Sequence, residues 1–298
     1  MAAITPELVQ RLLVAQFPQW ADLPVTRVAH GGWDNRTFHL GAEMSVRLPS
    51  HEAYSAQVEK EQRWLPVLAG HVPLPIPQPL ALGAPTDEFP RPWSIYRWLP
   101  GDLATTDRIT DLDRFATDLA AFLRALYRAD CTEGPPAGAH SHGRGGPVAQ
   151  WDEQTRGAIA ALVGEIDTDA ALAAWETAGD ATFAGDPVWV HGDVVSTNLL
   201  VTGGGLSAVI DFGCSAVGDP ACDVPIAWTL FHGESRRVFR DALAVDDATW
   251  ERGRGWALWK ALIEMYRERA YETRGPAGWQ RMGWRTDAKE LVEDLLER

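Results

Sequence analysis

The segment Val190-His191-Gly192-Asp193-Val194-Val195-Ser196-Thr197-Asn198-Leu199-Leu200 sets an aspartate and, five residues on, an asparagine between two apolar runs. Short apolar runs bounded by turn residues read as buried strands, so the stretch between them is a loop. A loop of that length can curl both polar side chains toward one point. A carboxylate there can accept a proton from a hydroxyl. An amide oxygen there can ligate a hard cation such as Mg²⁺, which takes oxygen ligands. In Val209-Ile210-Asp211-Phe212-Gly213 a second apolar strand delivers an acid at its end, followed by a flexible glycine. One apparent hairpin separates Asn198 from Asp211, so both oxygens can meet on one ion. Taken singly, Asp193 reads equally as a turn residue. With Asn198 and Asp211 in register, that bland reading needs three coincidences.

The elements that must position these residues fall into two blocks. Thr5-Pro6-Glu7 starts a helix with a cap hydroxyl, a first-turn proline and an acid. Short strands are expected at 25–28, 37–40 and 44–48, with a turn at His30 to Asn35 between the first two. Residues 52–69 read as a helix, Pro73 to Pro79 as a break, and 93–98 as a further strand. Amphipathic helices are expected near 111–129, 152–163 and 168–179, with a Gly/Pro/His-rich loop at 134–147. A small β piece returns at 188–191, 199–201 and 208–210, and the chain beyond 220 is helical. The plan is α+β: a β-rich block at 1–98, a linker at 99–102, and a mostly helical block at 103–298. Such a plan is expected to put a ligand cleft at the junction.

Composition narrows the partners. Against 27 Lys and Arg stand 41 Asp and Glu, a formal net charge of −14. Nucleic acid is not an expected partner, because phosphate backbones need a basic footprint. A cationic small molecule suits that field, although solubility alone accounts for it equally well. Cys131, Cys214 and Cys222 form no Cys-x-x-Cys pair, which fits a reducing compartment. The start of the chain shows no leader pattern and no run of 18 apolar residues occurs, so a cytoplasmic protein away from membranes is expected.

The Asp193 loop and the Asp-Phe-Gly triplet resemble the catalytic loop and metal-binding triplet of kinases. Gly192 after the histidine, and Gly218-Asp219-Pro220-Ala221-Cys222-Asp223 close behind, make the chain similar to the aminoglycoside phosphotransferase family. That family holds antibiotic and metabolite kinases on a protein-kinase-like two-lobed fold, with a β-rich N-lobe and a mostly helical C-lobe. The resemblance runs from His30 to the helices beyond 220. It implies transfer of the γ-phosphoryl of ATP or GTP to a hydroxyl, with Mg²⁺. It makes Asp193 the catalytic base, Asn198 and Asp211 the Mg²⁺ ligands, His191 a brace of the loop, and Asp223 a carboxylate holding the loop backbone. The phosphate-cradling turn maps to Gly31, Gly32 and Asn35, though an ordinary hairpin turn fits the same residues. Where the family carries a phosphate-binding lysine, this chain has Arg47, whose planar fork differs in reach. Its acidic partner is Glu59 or Glu61. Val58, Glu61, Leu65 and Leu68 share one helical face, which selects Glu61 as the inward acid. Residues 94–99, with Trp98, map to the hinge whose backbone meets the purine.

The resemblance supplies no fixed substrate motif. Six of the 14 Trp lie beyond residue 220: Trp228, Trp250, Trp256, Trp259, Trp279 and Trp284. Each is expected to be core before it is a sugar platform. Glu264 and Glu268 share a helix face and could take an amine; a solvated face is the favoured reading. The loop around Arg144 reads equally as substrate-facing or as plain surface, and His140 with His142 makes a poor metal site. A protein kinase is disfavoured, since five residues between Gly213 and Asp219 leave no activation segment. A nucleotide-binding scaffold is disfavoured because Asp193, Asn198 and Asp211 are all present. An aminoglycoside-like substrate is expected, ahead of a macrolide or a metabolite such as an amino alcohol or sugar.

Overall fold

The computed structural model describes residues 3–29, 34–270 and 283–297. The chain divides into two compact units. The first comprises Met1–His71, Pro75–Pro100 and Asp211–Gly213; the second comprises Val72–Leu74, Gly101–Ile210 and Cys214–Arg298.

In the first unit the Thr5 hydroxyl accepts from the Leu8 N–H and starts α1 (Pro6–Gln16). The strands β1 (Val25–Arg27), β2 (Asn35–Leu40) and β3 (Met44–Pro49) follow, then α2 (Ser55–Leu68), β4 (Pro79–Gly83) and β5 (Trp93–Arg97). They form one antiparallel sheet in the order β1-β2-β3-β5-β4. Leu8, Val9, Leu12 and Leu13 of α1 close a core with Phe38, Leu40, Val46, Leu48 and Ile95. Successive side chains on a strand alternate faces, so Arg47 points away from Val46 and Leu48. On α2 the buried stripe holds Val58, Glu61, Leu65 and Leu68, while Glu59 is exposed.

Strand β4 begins at Pro79, the last proline of the stretch expected to be a break. It is an edge strand of the sheet, where a proline forfeits no ladder hydrogen bond. Asn35, expected in a turn, is the first residue of β2 and pairs with Pro49.

The second unit opens with β6 (Asp102–Leu103). Its Asp102 was expected in the linker but pairs with Val201, so the linker ends one residue sooner. Then come α3 (Leu112–Tyr127), α4 (Asp152–Ala161), α5 (Thr168–Asp180), β7 (Val188–Val190), β8 (Leu199–Thr202), β9 (Gly205–Val209) and β10 (Ala216–Gly218). The helices α6 (Ile226–Thr229), α7 (Gly233–Leu243), α8 (Asp247–Ala270) and α9 (Ala288–Leu296) follow. Strands β8 and β9 form a hairpin with β6 on its edge, and β10 pairs with β7. The loop carrying Asp193 thus runs from the end of β7 to the start of β8. Helix α8 packs on α4, α5, α9 and the short turn Pro220–Asp223. No helix among the described residues is long and apolar enough to cross a membrane.

Candidate active site

In the first unit, Arg47 brings two acids together. Its guanidinium lies 3.5 Å from Glu61 Oε2 and donates to Asp211 Oδ1 at 3.0 Å. The Tyr96 hydroxyl also donates to Glu61, and the Arg47 guanidinium lies 5.5 Å from the Tyr96 ring centroid. Burial opposes the arginine's charge, but Glu61 and Asp211 outweigh it and raise its pKa. The cation therefore persists at any working pH. Asp211 has φ +66, a left-handed backbone that a non-glycine residue holds at a cost of about 1–2 kcal/mol. Such strain clusters where a side chain must point one way. The backbone behind it is tied down, since the Lys60 ammonium donates to the Gly213 carbonyl at 2.7 Å. Lys60 is buried, and nothing in its sequence neighbourhood points to that contact.

Gly31 and Gly32 lie outside the described residues. Nearby, Gln57 of α2 donates to Asp34 Oδ2 at 3.3 Å. The Trp98 N–H donates to the Glu43 carbonyl at 2.7 Å, and its ring lies 4.2 Å from that of His39. A backbone donor spent on the sheet does not also serve a purine, which leaves the Trp98 carbonyl as its backbone group for such a contact.

In the second unit, the Asp193 loop is clamped from behind. Asp223, fully buried, accepts from the His191 N–H at 3.0 Å and the Gly192 N–H at 2.7 Å. Burial raises its pKa above the usual carboxylate range, against the pull of those two N–H groups. The His191 Nδ1 accepts from the Asp193 N–H at 3.2 Å, and Nε2 meets the Ile210 carbonyl at 3.0 Å. A carbonyl only accepts, so the imidazole carries its proton on Nε2. His191 therefore bolts the loop to the residue before Asp211. The Ile210 N–H completes that tie, donating to the Asn198 carbonyl at 2.9 Å.

The Asn198 amide nitrogen donates to the Asp193 carbonyl at 2.9 Å and to Asp193 Oδ2 at 3.2 Å. Its amide oxygen is the end left for a cation. The other carboxylate oxygen of Asp193 faces the Lys260 ammonium at 3.4 Å. Burial would raise the Asp193 pKa; Lys260 and Arg144 outweigh it, so the carboxyl sits below its usual value. Asp193 is thus ionised at neutral pH and able to accept a proton.

Gly192 sits at φ +83, and a Cβ there would stand 2.4 Å from the Cys214 carbonyl oxygen and 2.9 Å from Arg144 Cβ. Gly192→Ala combines backbone strain with a clash and is expected to cost about 2–5 kcal/mol, read as a lower denaturation midpoint.

Lys260 and Arg144 were not placed at Asp193 by the sequence. Lys260 comes from α8, far along the chain. Arg144 comes from the Gly-rich loop, its guanidinium 5.2 Å from the Trp256 ring centroid and 5.0 Å from that of Trp259. One signal existed: Arg252, Trp256 and Lys260 recur every four residues, a drift of only about 80° around the helix, so the three share a face. The face of Glu264 is not solvated as expected, for Glu264 is 6% exposed. Of the six tryptophans beyond residue 220, Trp228, Trp250, Trp256, Trp259 and Trp284 are buried, and Trp279 lies outside the described residues.

The sequence profile of the phosphotransferase enzyme family (APH) matches residues 25–256. Among solved structures, the chain is similar to the GDP complex of wild-type aminoglycoside 2′-phosphotransferase-IIIa, with 19% identity and a TM-score of 0.70 over 98% of this chain and 99% of that one. It is also similar to an APH(2″) enzyme in complex with GDP and kanamycin (19% identity, TM-score 0.69, 97% and 98% covered). A third similar structure is the apoenzyme of macrolide 2′-phosphotransferase from Brachybacterium faecium (20% identity, TM-score 0.60, 98% and 99% covered). No curated protein sequence matches the chain. At such identities the structural likeness speaks to the fold, which is protein-kinase-like with a β-rich first unit and a mostly helical second one. The profile spans well over half of the sequence, and on that ground the chain belongs to the phosphotransferase enzyme family.

Proposed function

We propose that this protein transfers the γ-phosphoryl group of ATP or GTP to a hydroxyl of a small molecule, an aminoglycoside-like one. The observation that carries the reading is the Asp193 carboxylate. It is ionised, one oxygen is held by Asn198 and the other faces Lys260, and Asp223 clamps its loop. An acceptor hydroxyl donating to that carboxylate is oriented for attack and gives up its proton as the new O–P bond forms. The bond from Pγ to the nucleoside diphosphate breaks in line, and the diphosphate leaves. Positioning and charge neutralisation supply most of the acceleration in such a reaction.

Arg47 is proposed as the phosphate contact of the first unit, with Glu61 fixing its plane. Asn198 and Asp211 offer one amide oxygen and one carboxylate, a hard donor set. Among the described residues no three His, Cys, Asp or Glu side chains are gathered to hold a metal by themselves. That set fits Mg²⁺, which binds one or two protein oxygens and completes its shell with phosphate and water. Asn198 and Asp211 would hold it, and when bound it neutralises charge on the phosphates.

Arg47→Lys tests the phosphate contact. An ammonium cannot serve two acids and a phosphate as a planar fork does. The nucleotide KM is expected to rise roughly 10-fold, the worth of about one charge-assisted hydrogen bond, with kcat changed less. An unchanged KM removes Arg47 from the nucleotide site.

The substrate class rests on two opposed features. The net charge of −14 favours a cationic substrate at long range. Lys260 beside Asp193, with Arg144 adding to the same field, works against an ammonium next to the acceptor hydroxyl. A macrolide is the second reading, and because its amino sugar also sets an ammonium beside a hydroxyl, that local repulsion does not separate the two classes. The deciding experiment measures nucleoside-diphosphate release from ATP and from GTP with aminoglycosides, macrolides and small amino alcohols. Each product is weighed for one added phosphate. Phosphate on an aminoglycoside supports the first reading, phosphate on a macrolide the second, and no product from any acceptor counts against small-molecule transfer.

A further inference from the structure

We propose that Lys260 is a positioning residue for the transfer reaction: from α8 it fixes the Asp193 carboxylate in the orientation an acceptor hydroxyl must meet. The inference rests on the phosphotransfer reading and deepens it, because neither the resemblance nor the loop's own sequence assigns the lysine a role.

A carboxylate tethered at one oxygen still turns about its last bond. Asn198 holds Asp193 Oδ2 at 3.2 Å, and the loop backbone is held by Asp223. Neither fixes Oδ1. The Lys260 ammonium, 3.4 Å from Oδ1, is the second tether, and it comes from a different element. Two donors at opposite oxygens set the plane of the group. Each oxygen still has a lone pair for the acceptor hydroxyl.

The lysine's burial argues that the contact is built. A surface lysine runs its stem along the protein and puts its ammonium in water. The Lys260 side chain is only 9% exposed, and a cation so placed is costly unless paired. Asp193 is the paired acid.

The placement of α8 adds a second, independent argument. Arg252, Trp256 and Lys260 stand four residues apart on one face of the helix. Arg252 holds Asp219, whose turn carries the clamp Asp223. Trp256 lies under Arg144, whose Cβ borders Gly192. The same face therefore supports the loop's backbone through Asp223, its flank through Arg144, and its reactive carboxylate through Lys260. A shift of α8 would reach Asp193 by these routes.

The test compares Lys260→Met and Lys260→Arg with wild type on whichever acceptor the panel identifies. Misplacing a reacting group by about 1 Å costs up to ~10²-fold, so Lys260→Met is expected to lower kcat at least ~10-fold. The nucleotide KM should stay within about twofold, since the phosphate contacts lie elsewhere. Lys260→Arg, which keeps a cation of similar reach, should recover most of the lost kcat. Full turnover in Lys260→Met overturns the proposal, as does a Lys260→Arg variant as slow as Lys260→Met. A melting cycle over Lys260→Met, Asp193→Asn and the double variant gives a readout free of substrate. The shift caused by Lys260→Met should largely vanish in the Asp193→Asn background, and additive shifts overturn the contact. A wild-type protein silent on every acceptor counts against the phosphotransfer reading, and the melting cycle then decides the Lys260 contact by itself.

Discussion

Asp193→Ala is expected to lower turnover by ~10²–10⁴-fold, the usual scale for a positioned general base. The nucleotide KM should barely move. The expectation follows from what the side chain touches. Among the described residues its oxygens meet Asn198 and Lys260 in hydrogen-bond reach, at 3.2 and 3.4 Å, and the backbone contacts of the loop run through Asp223 and His191. Removing the carboxylate therefore spares the loop's main ties and strips out the group that would take the proton. Its loss also leaves the buried Lys260 ammonium without its paired acid, so some stability is expected to go with it and turnover is read at a temperature where the variant is folded. The measurement is steady-state release of nucleoside diphosphate, run beside a denaturation curve. Turnover within threefold of wild type, with an intact fold, would falsify the assignment of the base. Asp193→Asn separates charge from shape, since it keeps the size of the side chain and loses the basic oxygen. It should be nearly as slow as the alanine variant.

The parts of the fold and site legible in the sequence are those whose signal is local. The Asp193 loop reads from eight contiguous residues between two apolar strands, and the Asp211 triplet likewise. The resemblance narrowed Arg47's acid to Glu59 or Glu61, and periodicity chose Glu61, since a carboxylate on the apolar stripe of α2 demands a partner and Arg47 lies 3.5 Å away. What escaped is three-dimensional. Nothing near Lys260 in sequence says that α8 passes Asp193, nor anything near Lys60 that its ammonium reaches the Gly213 carbonyl. Strand β4 escaped for a different reason. A proline argues against a strand until the strand is known to be an edge, and edge position is a property of the assembled sheet. At Trp98 a hinge can be mapped by resemblance, but which of its backbone groups the sheet consumes is seen only in the assembled structure, where the Trp98 N–H goes to Glu43.

Arg252→Met is expected to be the most destabilising of the substitutions considered, at about 3–5 kcal/mol, because it strands a buried carboxylate. Arg252 and Asp219 form a two-pronged pair, Nε to Oδ2 at 2.7 Å and one terminal nitrogen to Oδ1 at 3.0 Å. Their side chains are 4% and 3% exposed. The guanidinium also donates to Thr249 Oγ1 at 3.0 Å and to the Thr182 carbonyl at 3.2 Å, so few of its donors are left over. Asp219 in turn caps the turn Pro220–Asp223, accepting from the Ala221 N–H at 3.0 Å. That turn presents Asp223 to the backbone of His191 and Gly192. Methionine fills much of the arginine's volume but leaves the Asp219 charge without its partner. The denaturation midpoint should fall with an unchanged denaturant slope, and Tm should drop by roughly 6–20 °C for a domain of this size. Adding Asp219→Asn removes the stranded charge while keeping an oxygen for Ala221, so the double variant should regain most of the loss. A double variant as unstable as Arg252→Met would mean that packing of the guanidinium, rather than its charge, holds the turn. Turnover discriminates further. If the Asp219 turn sets the height of Asp223 under the loop, Arg252→Met loses kcat even at temperatures where it remains folded, and the double variant recovers rate and stability together.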